Sequence, residues 1–191
     1  MTRLAERLRP ARVALFVTCL GDGFYPEVGE ATVRLLHRLG IAVDFPRGQT
    51  CCGQPVFKAG SRQLARAVAR RGLILCANAE YIVVPSGACA AMWWVLYPEL
   101  CADDPVLGEQ AEAQAARLYE LAEFLVQVVG VERLGAVFHG KVTCHASCHT
   151  RLAAQRPALI AQVQQELDAA RVIATLAYYL LLAQTEGVDP Q

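Results

Sequence analysis

The residues best suited to chemistry in this 191-residue chain are its eight cysteines, six of which follow directly on predicted strands. The most unusual position is the adjacent pair Cys51 and Cys52, which Gly53 follows. Two neighbouring thiols cannot easily face the same core, and a glycine here indicates a tight backbone passage around something bulky. The cysteines at strand ends are Cys19, Cys51, Cys52, Cys89, Cys144 and Cys148.

These cysteines are far apart in the sequence, but a parallel sheet brings the carboxyl ends of its strands to one edge, where open α/β sheets bind ligands. Converging thiolates are suited to zinc or to an iron–sulfur cluster. Adjacent cysteines are awkward around one ion, whereas they can reach different irons of a cluster. Thiol–disulfide chemistry is a third reading, with Cys89 near a helix N-terminus. The other two cysteines, Cys76 on a helix and Cys101 in a loop, are expected to lie outside the site.

The elements that must position these thiols alternate along the chain between apolar strand-length runs and amphipathic helices. This alternation predicts an α/β fold with a mostly parallel sheet flanked by helices. The predicted strands are residues 13–18, 41–45, 81–84 and 142–144, and the predicted helices are 25–39, 61–78, a helix after Cys89, one long helix over 107–129, and 157–183.

Composition excludes several classes of protein. The chain has 18 basic and 18 acidic residues and no basic block, which argues against nucleic acid and acidic membrane surfaces. The longest apolar run, Val172–Ala183, is too short to span a bilayer. The arginines before Val13 lead into a short strand and not into a signal peptide, so we expect a cytoplasmic protein whose cysteines serve metal or redox chemistry.

At five motifs the sequence resembles the cysteine-rich CCG-domain family, which includes the iron–sulfur subunits of glycolate oxidase and heterodisulfide reductase. The likeness covers residues 12 to 151 and is strongest to the lactate-utilisation branch. The family has about thirty residues between its first cysteine and Cys-Cys-Gly, and about thirty-five between Cys-Cys-Gly and Cys-x-x-Cys. Here 31 residues separate Cys19 from Cys51, and 36 separate Cys52 from Cys89. The motifs are Phe16–Cys19, Phe24–Gly29, Gln49–Pro55, Pro85–Met92 and Ser147–His149.

The resemblance implies that Cys19, Cys51, Cys52 and Cys89 bind an iron–sulfur cluster of the 4Fe-4S type, with Cys148 as a further metal ligand. It also implies an electron-transfer subunit of an oxidoreductase complex that acts on lactate, glycolate or a related 2-hydroxy acid. The expected partners are a ferredoxin-like iron–sulfur subunit or a flavin subunit. The residues that react with substrate would belong to such a partner.

Two departures from the family pattern leave other readings open. Ser86 occupies the first position of the family's Cys-x-x-Cys, and Leu180–Leu181 stand where a second Cys-Cys-Gly is expected. We therefore expect a CCG-type domain over 1–151 and a divergent helical segment over 152–191, whose apolar helix could join two copies as a homodimer. The alternatives are a truncated, non-catalytic scaffold and a structural zinc site, to which His145 and His149 could contribute.

Overall fold

A computed structural model describes residues 10–131 and 134, which contain a four-stranded sheet with every pair of neighbours parallel. The strand order is β2-β1-β3-β4. The predicted α/β class and mostly parallel sheet are confirmed. In this part of the chain, none of the helices combines the length and apolar character needed to cross a membrane. The strands are β1 (Arg12–Leu15), β2 (Ala42–Asp44), β3 (Ile82–Val84) and β4 (Leu118–Glu120).

Helices connect these strands and cover both faces of the sheet. The helix Pro26–Arg38 shows how the sequence sets the ends of these helices: Pro26 occupies its first turn, and Gly40 follows it with a φ of 78°. The described helices are α1 (Cys19–Phe24), α2 (Pro26–Arg38), α3 (Gln54–Lys58), α4 (Arg62–Leu75), α5 (Gly87–Ala91), which continues through a π-helical turn (Met92–Leu96) into α6 (Tyr97–Cys101), α7 (Pro105–Ala115), and α8 (Leu121–Glu123), which continues as a second π-helical turn (Phe124–Val128).

The sheet separates two hydrophobic cores, as the alternation of side chains along β3 requires. Ile82 and Val84 belong to one core, and Val83 between them belongs to the other. The first core also contains Cys52, Cys89 and much of the segment from α5 to α6. The second core lies against α2 and the π-helical turn after α8. Because both faces are covered, the short strands can be almost wholly apolar.

The prediction of one long helix over residues 107–129 is wrong. The chain leaves α7 at Ala115 and forms β4, in which Leu118 pairs with Ile82 and Glu120 with Val84. Leucines at helical spacing predict a continuous helix. In the structure, however, pairing with β4 satisfies backbone hydrogen-bonding groups of β3 that would otherwise lack a strand partner on that side. Tyr119, an aromatic residue at the middle of β4, suits a strand.

Two smaller expectations are also corrected. Gly21 and Gly23 predict a loop over residues 20–23, but these residues belong to α1, because the Thr18 hydroxyl accepts a hydrogen bond from the Gly21 N–H at 3.1 Å and caps the helix. Cys101, expected in a loop, ends α6 and is fully buried. The predicted strand at 142–144 and the helix at 157–183 lie outside the described residues.

Shortening the buried leucine side chain of β4 should destabilise the protein strongly. Leu118 is buried in the first core, so Leu118→Ala should lower the free energy of unfolding by about 2–5 kcal/mol. Leu64→Ala is the matched control, because Leu64 is 54% exposed on α4 and should cost within about 0.5 kcal/mol. Urea denaturation of both variants measures this difference, and equal losses would contradict the burial of β4.

Candidate metal centre

The four cysteines predicted to converge meet at the carboxyl edge of the sheet as two contacting pairs. Cys19 begins α1 after β1, and its Sγ lies 3.4 Å from the Sγ of Cys51. Cys52, on the loop after β2, has its Sγ 3.2 Å from that of Cys89 in α5, after β3. Turns that follow three different strands thus supply one group of thiols.

The site runs from the surface into the first core. Cys19 is exposed and Cys51 half-buried, whereas Cys52 and Cys89 are only 2% and 8% exposed. Among the described residues, neither Cys76 nor Cys101 takes part in a sulfur–sulfur contact. Both are buried, and burial raises the pKa of the Cys76 thiol to about 11. That neither thiol binds the metal group stays a prediction.

The two buried thiols share one hydrogen bond and therefore differ in acidity. Cys52 donates its S–H to Cys89, and this bond, together with burial, raises the pKa of Cys52. The same bond lowers the pKa of Cys89, and the Ser86 hydroxyl lowers it further. At the surface, burial and the bond to Cys51 raise the pKa of Cys19. The pKa values of Cys19, Cys52 and Cys89 thus depend on neighbouring thiols.

Gly53 allows the turn to bring its thiols to the edge of the sheet. It has a φ of 85°, a left-handed conformation that side chains disfavour, and directly precedes α3. A Cβ there would lie 3.3 Å from Val68 Cγ1 and 3.4 Å from the Ala65 carbonyl oxygen. Its N–H points to the Sγ of Cys51 at 3.4 Å. Both the backbone conformation and the close approach of α4 therefore require glycine.

Gln49 attaches the same loop to the end of β1, a role that sequence reasoning missed. Its side-chain amide donates to the Leu15 carbonyl at 2.7 Å and accepts from the Val17 N–H at 2.9 Å. These are the groups that a parallel strand residue opposite Phe16 would bind through its backbone. The Gln49 amide thus extends the β2–β1 pairing by one position and returns the loop to the side of Cys19. Its place in the Gln49–Pro55 motif was the available signal.

Tyr97 is the second residue whose role was missed. Its hydroxyl donates to the backbone carbonyl of Cys52 at 2.9 Å, and burial raises the pKa of Tyr97 well above its usual value, so the donor proton is retained. The only sequence signal was a spacing of eight residues from Cys89, which places both on one face of a helix. Trp93, between them, is buried in the first core.

Ser86, the departure from the family pattern, caps a helix. Its hydroxyl accepts from the Cys89 N–H at 3.4 Å at the start of α5. Ser86 therefore fixes the first turn of the helix that carries Cys89. Cys144, Cys148, His145 and His149 lie outside the described residues. Within the described ranges, no group of three or more histidine, cysteine or acidic side chains is already arranged to hold a metal ion.

Comparison with known proteins gives a domain match and close relatives. Residues 13–93 match the cysteine-rich CCG domain. The chain is 51% identical over 142 residues to lactate utilization protein A of Geobacillus kaustophilus (strain HTA426), a match that covers 74% of this chain and 59% of the relative. With lactate utilization protein A of Bacillus subtilis (strain 168) it shares 49% identity over 142 residues, with the same coverage.

A third relative, lactate utilization protein A of Exiguobacterium sp. (strain ATCC BAA-1283 / AT1b), is 51% identical over 143 residues, which cover 73% of this chain and 58% of the relative. The chain thus spans about three fifths of the length of the curated relatives it matches. No solved structure matches the chain. The resemblance found in the sequence is confirmed.

The requirement for glycine at position 53 can be measured against a second left-handed glycine. Gly53→Ala should cost about 1–2 kcal/mol for the conformation alone, and more because the methyl group meets Val68. Gly60→Ala is the control, since Gly60 has a φ of 89° and an added Cβ would meet nothing within 4 Å. Urea denaturation should show the larger loss for Gly53→Ala. Equal losses would mean that the contact with α4 imposes no constraint.

Proposed function

Because residues 13–93 match the cysteine-rich CCG domain, we propose that this chain binds an iron–sulfur cluster and transfers electrons within an oxidoreductase complex. The observation that carries the proposal is the meeting of four thiols from three separate turns at one edge of a parallel sheet. We assign Cys19, Cys51, Cys52 and Cys89 as the cluster ligands. The proposed cluster is of the 4Fe-4S type.

The donor set fits such a group. All four side chains are thiols, the ligands that iron–sulfur clusters use. Two thiolates on one tetrahedral zinc would stand about 3.8 Å apart, given Zn–S bonds of about 2.3 Å. The pairs here lie closer, at 3.2 and 3.4 Å, so the thiols must separate to admit any metal. Two thiol pairs supplied by three turns suit the wider span of a cluster with several irons.

When bound, the cluster would supply one-electron transfer, and the chain would supply a defined path to the surface. Cys52 and Cys89 would hold the inner side in an apolar core that excludes water, while Cys19 would stand at the exposed side. The neighbouring side chains of Leu20, Phe24 and Tyr25 are 62–72% exposed. Exposed apolar side chains beside the site favour the approach of a redox partner protein.

The relatives' name directs the proposal towards lactate or a related 2-hydroxy acid as the substrate of the complex. Removal of two electrons from such an acid needs a flavin or nicotinamide. In the sequence, Gly21–Gly23 lacks the third glycine of a dinucleotide-binding motif. We therefore propose that a flavin-containing partner subunit reacts with the substrate in the cytoplasm, and that a ferredoxin-like iron–sulfur subunit is the alternative partner for electron transfer alone.

The proposal extends to residues outside the described part of the chain. Cys148 is proposed as a further metal ligand, because it begins a second copy of the family's cysteine pattern. Residues 1–151 are proposed as the CCG-type domain and residues 152–191 as a helical segment that contacts a partner or a second copy. Removal of residues 158–191 should then weaken assembly more than cluster loading.

Cys52→Ser should abolish cluster binding, since the buried thiol has no substitute. Anaerobic reconstitution followed by iron and sulfide assays and a visible spectrum measures the loading of each variant. Cys76→Ser is the matched control, because Cys76 is equally buried but outside the site, and it should load nearly as much iron as the parent protein. Equal iron loss in both variants would refute the ligand assignment. Zinc without sulfide in the parent protein would indicate the structural zinc site instead.

The isolated chain should show no lactate-dependent reduction of an artificial dye, even with its cluster loaded, because the proposed substrate chemistry lies in a partner. Dye reduction is followed spectrophotometrically with lactate and with glycolate. Dithionite reduction of the loaded protein is the positive control for an active cluster. Steady turnover by the pure chain would overturn the assignment of substrate chemistry to a partner.

A further inference from the structure

Two residues that are not thiols connect the segments carrying the buried thiols. Tyr97, at the start of α6, donates its hydroxyl to the carbonyl of Cys52, 45 residues earlier. It stands on the same helical run as Cys89, whose Sγ contacts that of Cys52. The Cys52 and Cys89 segments are therefore joined by a sulfur contact and, on the core side, by the tyrosine hydrogen bond. A longer contact, from the Gln54 side-chain amide to the Ala88 carbonyl at 3.4 Å, joins the same segments.

The surroundings of Tyr97 hold its ring in one place. It is fully buried, and its ring centroid lies 4.7 Å from that of Trp93. Gly72 on α4 leaves room for both rings, since an added Cβ would lie 3.0 Å from Trp93 Cζ2 and 3.4 Å from the Tyr97 hydroxyl. The π-helical turn Met92–Leu96 lies between Cys89 and Tyr97, and such turns are frequent at functional sites.

A buried carbonyl needs a hydrogen-bond donor, and the donor it finds fixes the peptide that carries it. Among the described residues, the Tyr97 hydroxyl is the side-chain group that donates a hydrogen bond to the Cys52 carbonyl. The peptide of Cys52 determines where its Sγ can point, because one bond joins Cα to Cβ and another joins Cβ to sulfur. A ligand fixed by its backbone keeps its geometry when the metal group is lost or changes charge.

We infer that Tyr97 is a positioning residue for the proposed cluster: its hydroxyl holds the Cys52 peptide and thereby controls how tightly Cys52 retains the group. This inference rests on the proposed function. It assigns the role to the hydroxyl, not to the bulk of the ring. Loss of a group that hydrogen-bonds a metal ligand typically lowers metal affinity by about 10–100-fold.

The test compares Tyr97→Phe, which removes only the hydroxyl, with the parent protein and with Tyr81→Phe. Tyr81 packs against Tyr119 and Phe124 in the second core, so Tyr81→Phe removes a tyrosine hydroxyl away from the thiols. All three proteins are reconstituted anaerobically with iron and sulfide. The readouts are iron and sulfide per chain, the rate of iron release to a chelator, and the electron paramagnetic resonance spectrum after reduction.

We expect Tyr97→Phe to release iron about tenfold faster than the parent protein and to show an altered resonance spectrum, with Tyr81→Phe matching the parent. Gly72→Ala keeps the hydroxyl but presses on Trp93 and Tyr97, and it should release iron at an intermediate rate. That variant also tests the inference if Tyr97→Phe does not fold.

Loading of the parent protein with release rates and spectra unchanged in Tyr97→Phe and Gly72→Ala would overturn the inference alone. Equal acceleration in Tyr81→Phe would also overturn it, because the effect would then follow general loss of stability. A parent protein that takes up no iron and sulfide would refute the proposed function and, with it, the role assigned to Tyr97.

Discussion

Parallel pairing of the strands is the constraint on which the thiol site depends. Because β1 pairs in the same direction with both β2 and β3, the turns that leave all three strands lie at one edge of the sheet. Cys19 follows β1 closely and Cys89 is five residues beyond β3, but Cys51 is seven residues beyond the end of β2. The Gln49 amide closes that longer path, since it bonds to β1 as another strand residue would. Register and loop attachment together bring the four sulfurs to this edge as two contacting pairs.

The site is continuous with the first hydrophobic core, so folding and ligand geometry are linked. Cys52 and Cys89 are core residues that pack with Trp93 and Tyr97. A thiol in such surroundings is costly to ionise, which is why Cys52 remains a hydrogen-bond donor to Cys89. Binding of the proposed metal group would release these protons, and its binding free energy would add to the stability of the folded core around the site.

The outer pair, Cys19 and Cys51, is more exposed than the inner pair, Cys52 and Cys89, and this difference suits the two pairs to different tasks. The inner pair is held by backbone turns and by side chains from α4 to α6, whose positions are fixed by dense contacts. The outer pair is accessible beside exposed apolar side chains, where another protein can approach. A group bound between them would be anchored on one side and reachable on the other. This combination suits a carrier of electrons better than a residue set that must enclose a small substrate.

The sequence alone determined the α/β class, the parallel sheet and the cysteines at its edge, because strand–helix alternation and residues at strand ends are local features. It could not locate β4, since Leu118, Leu121 and Leu125 have helical spacing and only pairing with Ile82–Val84 makes residues 118–120 a strand. Nor could it assign Gln49 or Tyr97. Their bonds join residues 32 to 45 positions apart, and such bonds exist only after the fold has brought a side chain to one particular backbone group.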